Sequence, residues 1–98
     1  MTTSEILEAA NKLVNGDRRQ DYGDARESFA RVADLWGAYL DTKITPHAVA
    51  VMMVLFKASR TCTGVKDDTY IDMAGYAALA GWLATHKERH GDAKEAPE

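Results

Sequence analysis

Apolar residues recur at helical spacing in four separate stretches of this chain, so the sequence predicts an all-α fold. The first stretch follows Thr2-x-x-Glu5, which has the form of a helix-capping box. Asn15-Gly16 is expected to end this helix, because both residues tolerate the left-handed backbone of a helix terminus. The apolar face of this first helix consists of Ile6, Ala9, Ala10, Leu13 and Val14.

A second helix is predicted from Asp24 to about Tyr39, with apolar residues every third or fourth position. Arg26 lies off this stripe and is expected to be exposed. Asp24-x-x-Glu27 has two interpretations. As structure, Asp24 is the N-cap and Glu27 is favoured by the helix dipole. As metal chemistry, two carboxylates three residues apart can share a hard cation such as Mg²⁺. Glu27 is compatible with both.

The third helix is the most apolar segment of the chain. Thr45-Pro46 is a strong start signal, and residues 48–56 carry no charged or strongly polar side chain. A helix that is apolar all round is expected at the buried centre of a bundle. Lys57 and Arg60 then share one face of its last turn. They suit a helix C-terminus, but the Lys57 ammonium, directly after a buried run, must also reach a partner or a ligand.

A fourth helix is predicted to begin with Asp67 or Asp68 as its cap and to run to about Lys87. Asp68, Asp72 and Tyr76 form a polar ridge along it, each one turn after the previous one. A capping role explains Asp68 but not Asp72, which lies a full turn inside the helix. Asp72 is therefore the predicted functional acid, whereas Tyr76 fits either a ligand site or the edge of a core.

The segment between the first two helices, residues 17–24, is densely charged. Arg18 and Arg19 can bind phosphate, and Tyr22 can stack on a base. The alternative is a solvated connector without a ligand.

Composition limits the classes of function. We expect one helical domain over residues 1–89, and a polar, disordered tail over residues 90–98 that has no apolar face. The net charge of −3 does not favour binding to a nucleic-acid polymer. A single cysteine, Cys62, allows no intrachain disulfide and fits a reducing cytoplasm. The longest apolar run is too short to cross a membrane.

Four helices joined by short connections most simply form an up-down bundle. In that topology, the starts of the second and fourth helices and the ends of the first and third helices lie at the same end. Carboxylates and cations that meet there form either a structural ion-pair network or a site for Mg²⁺ and phosphate. The groups expected at this end are Arg18, Arg19, Asp21, Tyr22, Glu27, Lys57, Arg60, Asp68 and Asp72.

Three motifs, in this order, resemble small phage-encoded and bacterial proteins that are grouped near the all-α NTP pyrophosphohydrolases, the MazG-like superfamily. The motifs are Asp21-Tyr22-Gly23, Lys57-Ala58-Ser59-Arg60 and Asp72-Met73-Ala74-Gly75-Tyr76, within a resemblance that covers about residues 11–83. The resemblance implies a helical bundle that forms dimers or tetramers. It also implies Mg²⁺-dependent cleavage of nucleoside triphosphates to the monophosphate and pyrophosphate.

The family pattern is E-x-x-E on one helix and E-x-x-D on the next. Here Glu27 matches one glutamate, Asp24 is a shorter partner, and Asp68 and Asp72 stand four residues apart. The resemblance assigns catalysis to Glu27 and Asp72, and Mg²⁺ binding to Glu27, Asp68 and Asp72. Substrate binding is assigned to Arg18, Arg19, Tyr22, Lys57, Arg60 and Tyr76.

Three functions remain open at this point. The first is a Mg²⁺-dependent nucleotide pyrophosphohydrolase. The second is a nucleotide-binding protein without catalysis, which would sequester a linear or cyclic nucleotide signal of host defence. The third is a structural or interaction bundle. For each we expect a homo-oligomer, by default a dimer, in the cytoplasm (that of the host if the chain is phage-encoded), with no membrane partner.

Overall fold

The protein is all-helical over residues 1–17 and 24–85, which are the residues that the computed structural model describes. Its helices are α1 (Thr3–Lys12), α2 (Ala25–Leu40), α3 (Pro46–Ser59) and α4 (Asp67–Thr85). A π-helical turn, Leu13–Asp17, follows α1, and a 3₁₀ turn, Arg60–Thr63, follows α3. The predicted fold class and number of helices are therefore confirmed.

Two of the helix starts follow directly from local sequence. The Thr2 hydroxyl accepts a hydrogen bond from the Glu5 backbone N–H (3.1 Å), and the Glu5 carboxylate accepts one from the Thr2 N–H (2.8 Å). At α3, the Thr45 hydroxyl accepts from the Ala48 N–H (3.0 Å), with Pro46 in the first turn. Both predicted caps are confirmed, because each satisfies backbone donors that the helix leaves unpaired.

The predicted Asp24 cap of α2 is also present, but two other helix ends differ from the prediction. Asn15-Gly16 does not end the first helix: the chain continues as the π-helical turn to Asp17, and Gly16 has no left-handed backbone. A π turn accommodates one extra residue by lengthening the hydrogen-bonded ring, so the helix widens instead of stopping. Asp67 and Asp68 lie in the first turn of α4 and not at a cap position before it. There they are favoured by the helix dipole.

The reversal after α2 depends on Gly37. Asp41 adopts a left-handed conformation (φ 56°, ψ 47°), and its N–H donates to the Gly37 carbonyl. The Thr42 N–H donates to the same oxygen at 3.0 Å. A Cβ atom on residue 37 would lie 2.6 Å from the Thr42 carbonyl oxygen, so only glycine lets the chain fold back this closely.

The core lies between α3 and α4, which share the most extensive contact of any helix pair described. Ala50, Ala80 and Leu83 are buried there, with Phe29 and Trp82 packed against them. Helix α4 also packs against α1, while α2 packs against α3. Small residues bring α3 and α4 close together, but no large side chain among the described residues is fully buried.

The expectation that α3 is buried all round is wrong. Val49 and Ala50 are buried, but Val51, Leu55 and Phe56 are 37%, 63% and 52% exposed. Helix α3 has α2 and α4 as its main neighbours, so within one chain a third side stays open. Helix α4, which packs against both α1 and α3, takes the central place instead.

Helix α2 contacts α4 through two ring interactions near its own start. The Phe29 ring lies 6.3 Å from the Tyr76 ring, and the Arg26 guanidinium lies 5.7 Å from the Trp82 ring. Trp82 is about 21 Å along the helix axis from Asp68, at 1.5 Å per residue. The start of α2 therefore lies against the second half of α4, and the expectation that α2 and α4 start at the same end is wrong.

None of the helices in the described ranges is long and apolar enough to cross a membrane. The predicted disordered tail, residues 90–98, and the predicted end of α4 near Lys87 lie outside the described residues.

Candidate functional site

The candidate site is built around an ion pair between α3 and α4. The Lys57 Nζ atom, in the last turn of α3, lies 3.0 Å from the Asp72 Oδ2 atom, one turn inside α4. The two side chains are only 20% and 23% exposed. The prediction that the Lys57 ammonium must reach a partner is confirmed, and that partner is the acid which the sequence singled out.

Asp72 also lines a groove between α4 and the π-helical turn. Leu13 and Val14 form one wall, and α4 supplies the other residues, Asp72, Gly75, Tyr76 and Leu79. The groove is shallow and open to solvent, with a cavity volume of about 20 Å³. A Cβ atom on residue 75 would lie 3.2 Å from Val14 Cγ2, so Gly75 lets the π-helical turn approach α4 closely. The result is a carboxylate at the edge of a largely apolar cleft.

Tyr76 lies one turn after Asp72 and is half-buried. Tyr76 has a structural role, because its ring packs at 45° against the Phe29 ring with the two centroids 6.3 Å apart. It also faces the groove, which it helps to line. The two sequence interpretations of this residue are therefore compatible in the structure.

Asp24 is occupied by its role at the start of α2. Its Oδ1 accepts from the Arg26 backbone N–H (2.7 Å), and its Oδ2 pairs with the Arg26 guanidinium (3.2 Å). Arg26 also lies over the Trp82 ring, so its side chain is only 22% exposed, and the expectation of an exposed Arg26 is wrong. Glu27 is exposed in the first turn of α2, where the helix dipole favours it.

Two further candidates lie at the surface. Arg60 is exposed at the end of α3, with its guanidinium 6.0 Å from the centre of the Phe56 ring. Asp68 is exposed in the first turn of α4, one turn before Asp72. Arg18, Arg19 and Tyr22 lie outside the described residues. Their segment follows directly after the π-helical turn that forms one wall of the groove.

The described residues do not fit a magnesium centre. Within residues 1–17 and 24–85, no group of three or more His, Cys, Asp or Glu side chains could hold a metal ion. Glu27 lies at the start of α2, next to Arg26, which contacts Trp82 in the second half of α4. Asp68 lies far from there, in the first turn of α4. A magnesium ion usually binds one or two carboxylates, with water and substrate phosphates as its other ligands, and the Asp72 carboxylate at the groove already faces an ammonium.

The sequence did not point to the apolar half of the site. Leu13 and Val14 were recognised only as core positions, and the π-helical turn had no clear signal in the sequence. Gly75 is the one available hint, because a glycine inside an apolar helix often marks a close approach of another segment.

Two phage proteins are similar to this chain. It is 50% identical over 76 residues to the Gene 55 protein of Mycobacterium phage L5, an alignment that covers 76% of this chain and 49% of that protein. It is 42% identical over 76 residues to the Gene 55 protein of Mycobacterium phage D29, covering 76% and 50%. The chain therefore spans about half the length of the curated relatives it matches.

No solved structure matches the chain. A family described as a domain of unknown function, DUF6378, matches residues 5–84, a range that includes all of α2, α3 and the π-helical turn and nearly all of α1 and α4. Because this match covers most of the chain, the protein belongs to the DUF6378 family.

Proposed function

We propose that the protein binds a nucleotide in the groove beside the Lys57–Asp72 pair, with a phosphate at Lys57 and the base against the apolar wall. The observation that carries this proposal is that Asp72, which lines the apolar groove, is paired with the half-buried Lys57 ammonium. Nucleotides combine an anionic and a flat, largely apolar part, and the groove offers a counterpart to each.

Energetics support a ligand role for the pair. Removing two charges from water is costly, and a half-buried ion pair stabilises a fold little more than a well-packed apolar pair would. The Lys57 ammonium has three N–H groups, and one of them can donate to Asp72. A phosphate can therefore accept hydrogen bonds from the same ammonium. Leu13, Val14 and Leu79 provide an apolar surface for a base or sugar. Arg18, Arg19, Tyr22, Arg60 and Tyr76 complete the proposed substrate-binding set.

Two forms of this function differ in chemistry. In the first, a phage protein without catalysis sequesters a linear or cyclic nucleotide signal of host defence. The Lys57–Asp72 pair favours this form, because Asp72 is engaged by an ammonium, and the phage origin of the relatives agrees with it. In the second, the chain is a MazG-like, Mg²⁺-dependent pyrophosphohydrolase. Resemblance of the three motifs supports that form, with Glu27 and Asp72 as catalytic residues and Asp68 as a further metal ligand.

A combined binding and product assay tests the proposal. The purified protein is mixed with canonical nucleoside triphosphates and cyclic dinucleotides, with Mg²⁺ or with EDTA, and melting and product formation are followed. A ligand that binds the folded state raises the melting temperature. The shift should be lost in Lys57→Met and kept in the control Lys43→Met, which removes an exposed lysine in the loop before α3.

Each outcome of this assay has one meaning. Stabilisation with the ligand recovered intact supports sequestration. Pyrophosphate release that requires Mg²⁺ and is lost in Asp72→Asn supports the hydrolase. No stabilisation by any nucleotide refutes both forms and leaves the interaction bundle.

We also propose that the chain acts as a homodimer in the cytoplasm, through the open side of α3. Val51, Leu55 and Phe56 are exposed there, and Leu35 and Tyr39 of α2 are 69% and 89% exposed. Packing these side chains against a second copy would remove their apolar surface from water, as part of an interface that in standard complexes buries roughly 800 Å² per partner. A second copy offers the same apolar surface and so matches it in chemistry.

Light scattering at several protein concentrations tests this interface. Leu55→Glu should produce a monomer, because it would bury a charge in the interface. Leu7→Glu is a matched control, since Leu7 of α1 is equally exposed, at 63%. A monomeric wild-type protein, or a Leu55→Glu variant that remains dimeric, would contradict the proposal.

A further inference from the structure

We propose that the Lys57 ammonium is the resident cation of this site, at the carboxylate where the family resemblance places Mg²⁺, so that the protein binds nucleotide phosphate without a metal. The second part of this inference, that phosphate binds without a metal, rests on the proposed nucleotide binding. Its first part, that Asp72 pairs with Lys57 and not with a metal, stands independently.

The geometry leaves little room for a metal at Asp72. A magnesium ion on Oδ2 would lie about 2.0–2.1 Å from that oxygen, yet the Lys57 Nζ atom already lies 3.0 Å from it. Two cations at such a distance repel each other strongly in a partly desolvated site. Binding of a metal at Oδ2 would therefore compete with the Lys57 ammonium.

Lys57 is held in place by its surroundings. Its side chain is 20% exposed and pairs across the interface between α3 and α4, the most extensive contact among the described helices. Its position in the last turn of α3 places the positive charge near the negative end of the helix dipole. The helix dipole and the ion pair both favour the ammonium at its observed position and offset the cost of its partial burial.

The other described side chains that line the groove include no acid, and of them the Tyr76 hydroxyl alone carries an oxygen atom. The side chains of Leu13, Val14, Gly75 and Leu79 carry no oxygen atoms, and the described residues contain no acidic group of three around Asp72. By contrast, the same surroundings suit an ammonium that already has one carboxylate partner and two more N–H donors. Asp72 is then a positioning residue: it lines the groove and holds the Lys57 ammonium beside it.

The first arm of the test uses Mg²⁺ alone. Melting temperatures of the wild type and of Asp72→Asn are measured across a Mg²⁺ titration, with Asp34→Asn as a control that changes an exposed aspartate of α2. The melting temperatures of all three proteins should change by the same amount as Mg²⁺ is added. If Asp72→Asn is too unstable to measure, the double variant Lys57→Met/Asp72→Asn, which removes both charges, takes its place. A Mg²⁺-dependent stabilisation of the wild type that both Asp72 variants lack would overturn the inference.

The second arm measures ATP binding by calorimetry with excess Mg²⁺ and with EDTA. The wild-type Kd should agree within about twofold between the two conditions. Lys57→Met should raise the Kd by about tenfold or more in both, as expected for the loss of a charge-assisted hydrogen bond. Lys57→Arg should keep most of the affinity. Binding that requires Mg²⁺ and disappears in Asp72→Asn would contradict the inference, whereas an absence of ATP binding in both conditions counts against ATP as the nucleotide and leaves the first arm to decide.

Discussion

The coupling between Lys57 and Asp72 can be measured as a stability difference. Exposed ion pairs contribute about 0.2–1 kcal/mol, and removing one partner of a buried pair costs about 3–5 kcal/mol. This pair is about one-fifth exposed on each side. We therefore expect Lys57→Met and Asp72→Asn each to lower the free energy of unfolding by about 2 kcal/mol, because each leaves a poorly solvated charge without its partner.

The double variant Lys57→Met/Asp72→Asn should lose less free energy of unfolding than the two single variants lose in sum. Once both charges are gone, neither is left without a partner, so a coupling of about 1–2 kcal/mol is expected. In a domain of this size, 1 kcal/mol corresponds to about 4–8 °C in melting temperature. Each single variant should therefore melt roughly 10 °C below the wild type, and chemical denaturation at one protein concentration should give the same order.

Controls separate the pair from general effects of charge removal. Lys43→Met and Asp34→Asn change exposed residues and should each alter stability by no more than about 0.5 kcal/mol. Additive effects of Lys57→Met and Asp72→Asn, with no measurable coupling, would show that the two side chains do not interact in solution and would refute the reasoning about the site.

Two further predictions concern the fold. Gly37→Ala should lower the unfolding free energy by about 1–3 kcal/mol, because its Cβ would lie 2.6 Å from a backbone oxygen; Gly81→Ala in α4, where nothing lies within 4 Å, should raise it by about 0.5–1 kcal/mol. If Gly37→Ala and Gly81→Ala changed the unfolding free energy equally in urea denaturation, the explanation given for Gly37 would be contradicted. Thr45→Ala should cost about 1 kcal/mol by removing the α3 cap, while Thr45→Ser retains the hydroxyl and should be nearly neutral.

Features that depend on neighbouring residues could be predicted from the sequence. Thr2-x-x-Glu5 and Thr45-Pro46 lie where their hydrogen bonds form, so the caps needed no knowledge of the fold. The same holds for Lys57, whose charge directly follows an apolar run and so had to find a partner nearby.

Features that depend on how helices pack could not be predicted in the same way. Periodicity shows that α3 is apolar on every side, but not how many neighbours it has, and so Leu55 was wrongly expected to be buried. It also gives no crossing angle, which is why Glu27 and Asp68 were wrongly placed at one end. The π-helical turn depends on a local competition between helical hydrogen bonds that apolar spacing does not report.

The most direct test of the central claim is an amide NMR titration of the protein with the nucleotide that gives the largest thermal stabilisation. The account predicts that the largest changes occur around the groove, at Leu13, Val14, Asp72, Gly75 and Leu79. It also predicts that Lys57→Met greatly reduces these changes. Changes confined to the opposite end of α3, around Lys43 and His47, or no changes at all, would contradict it.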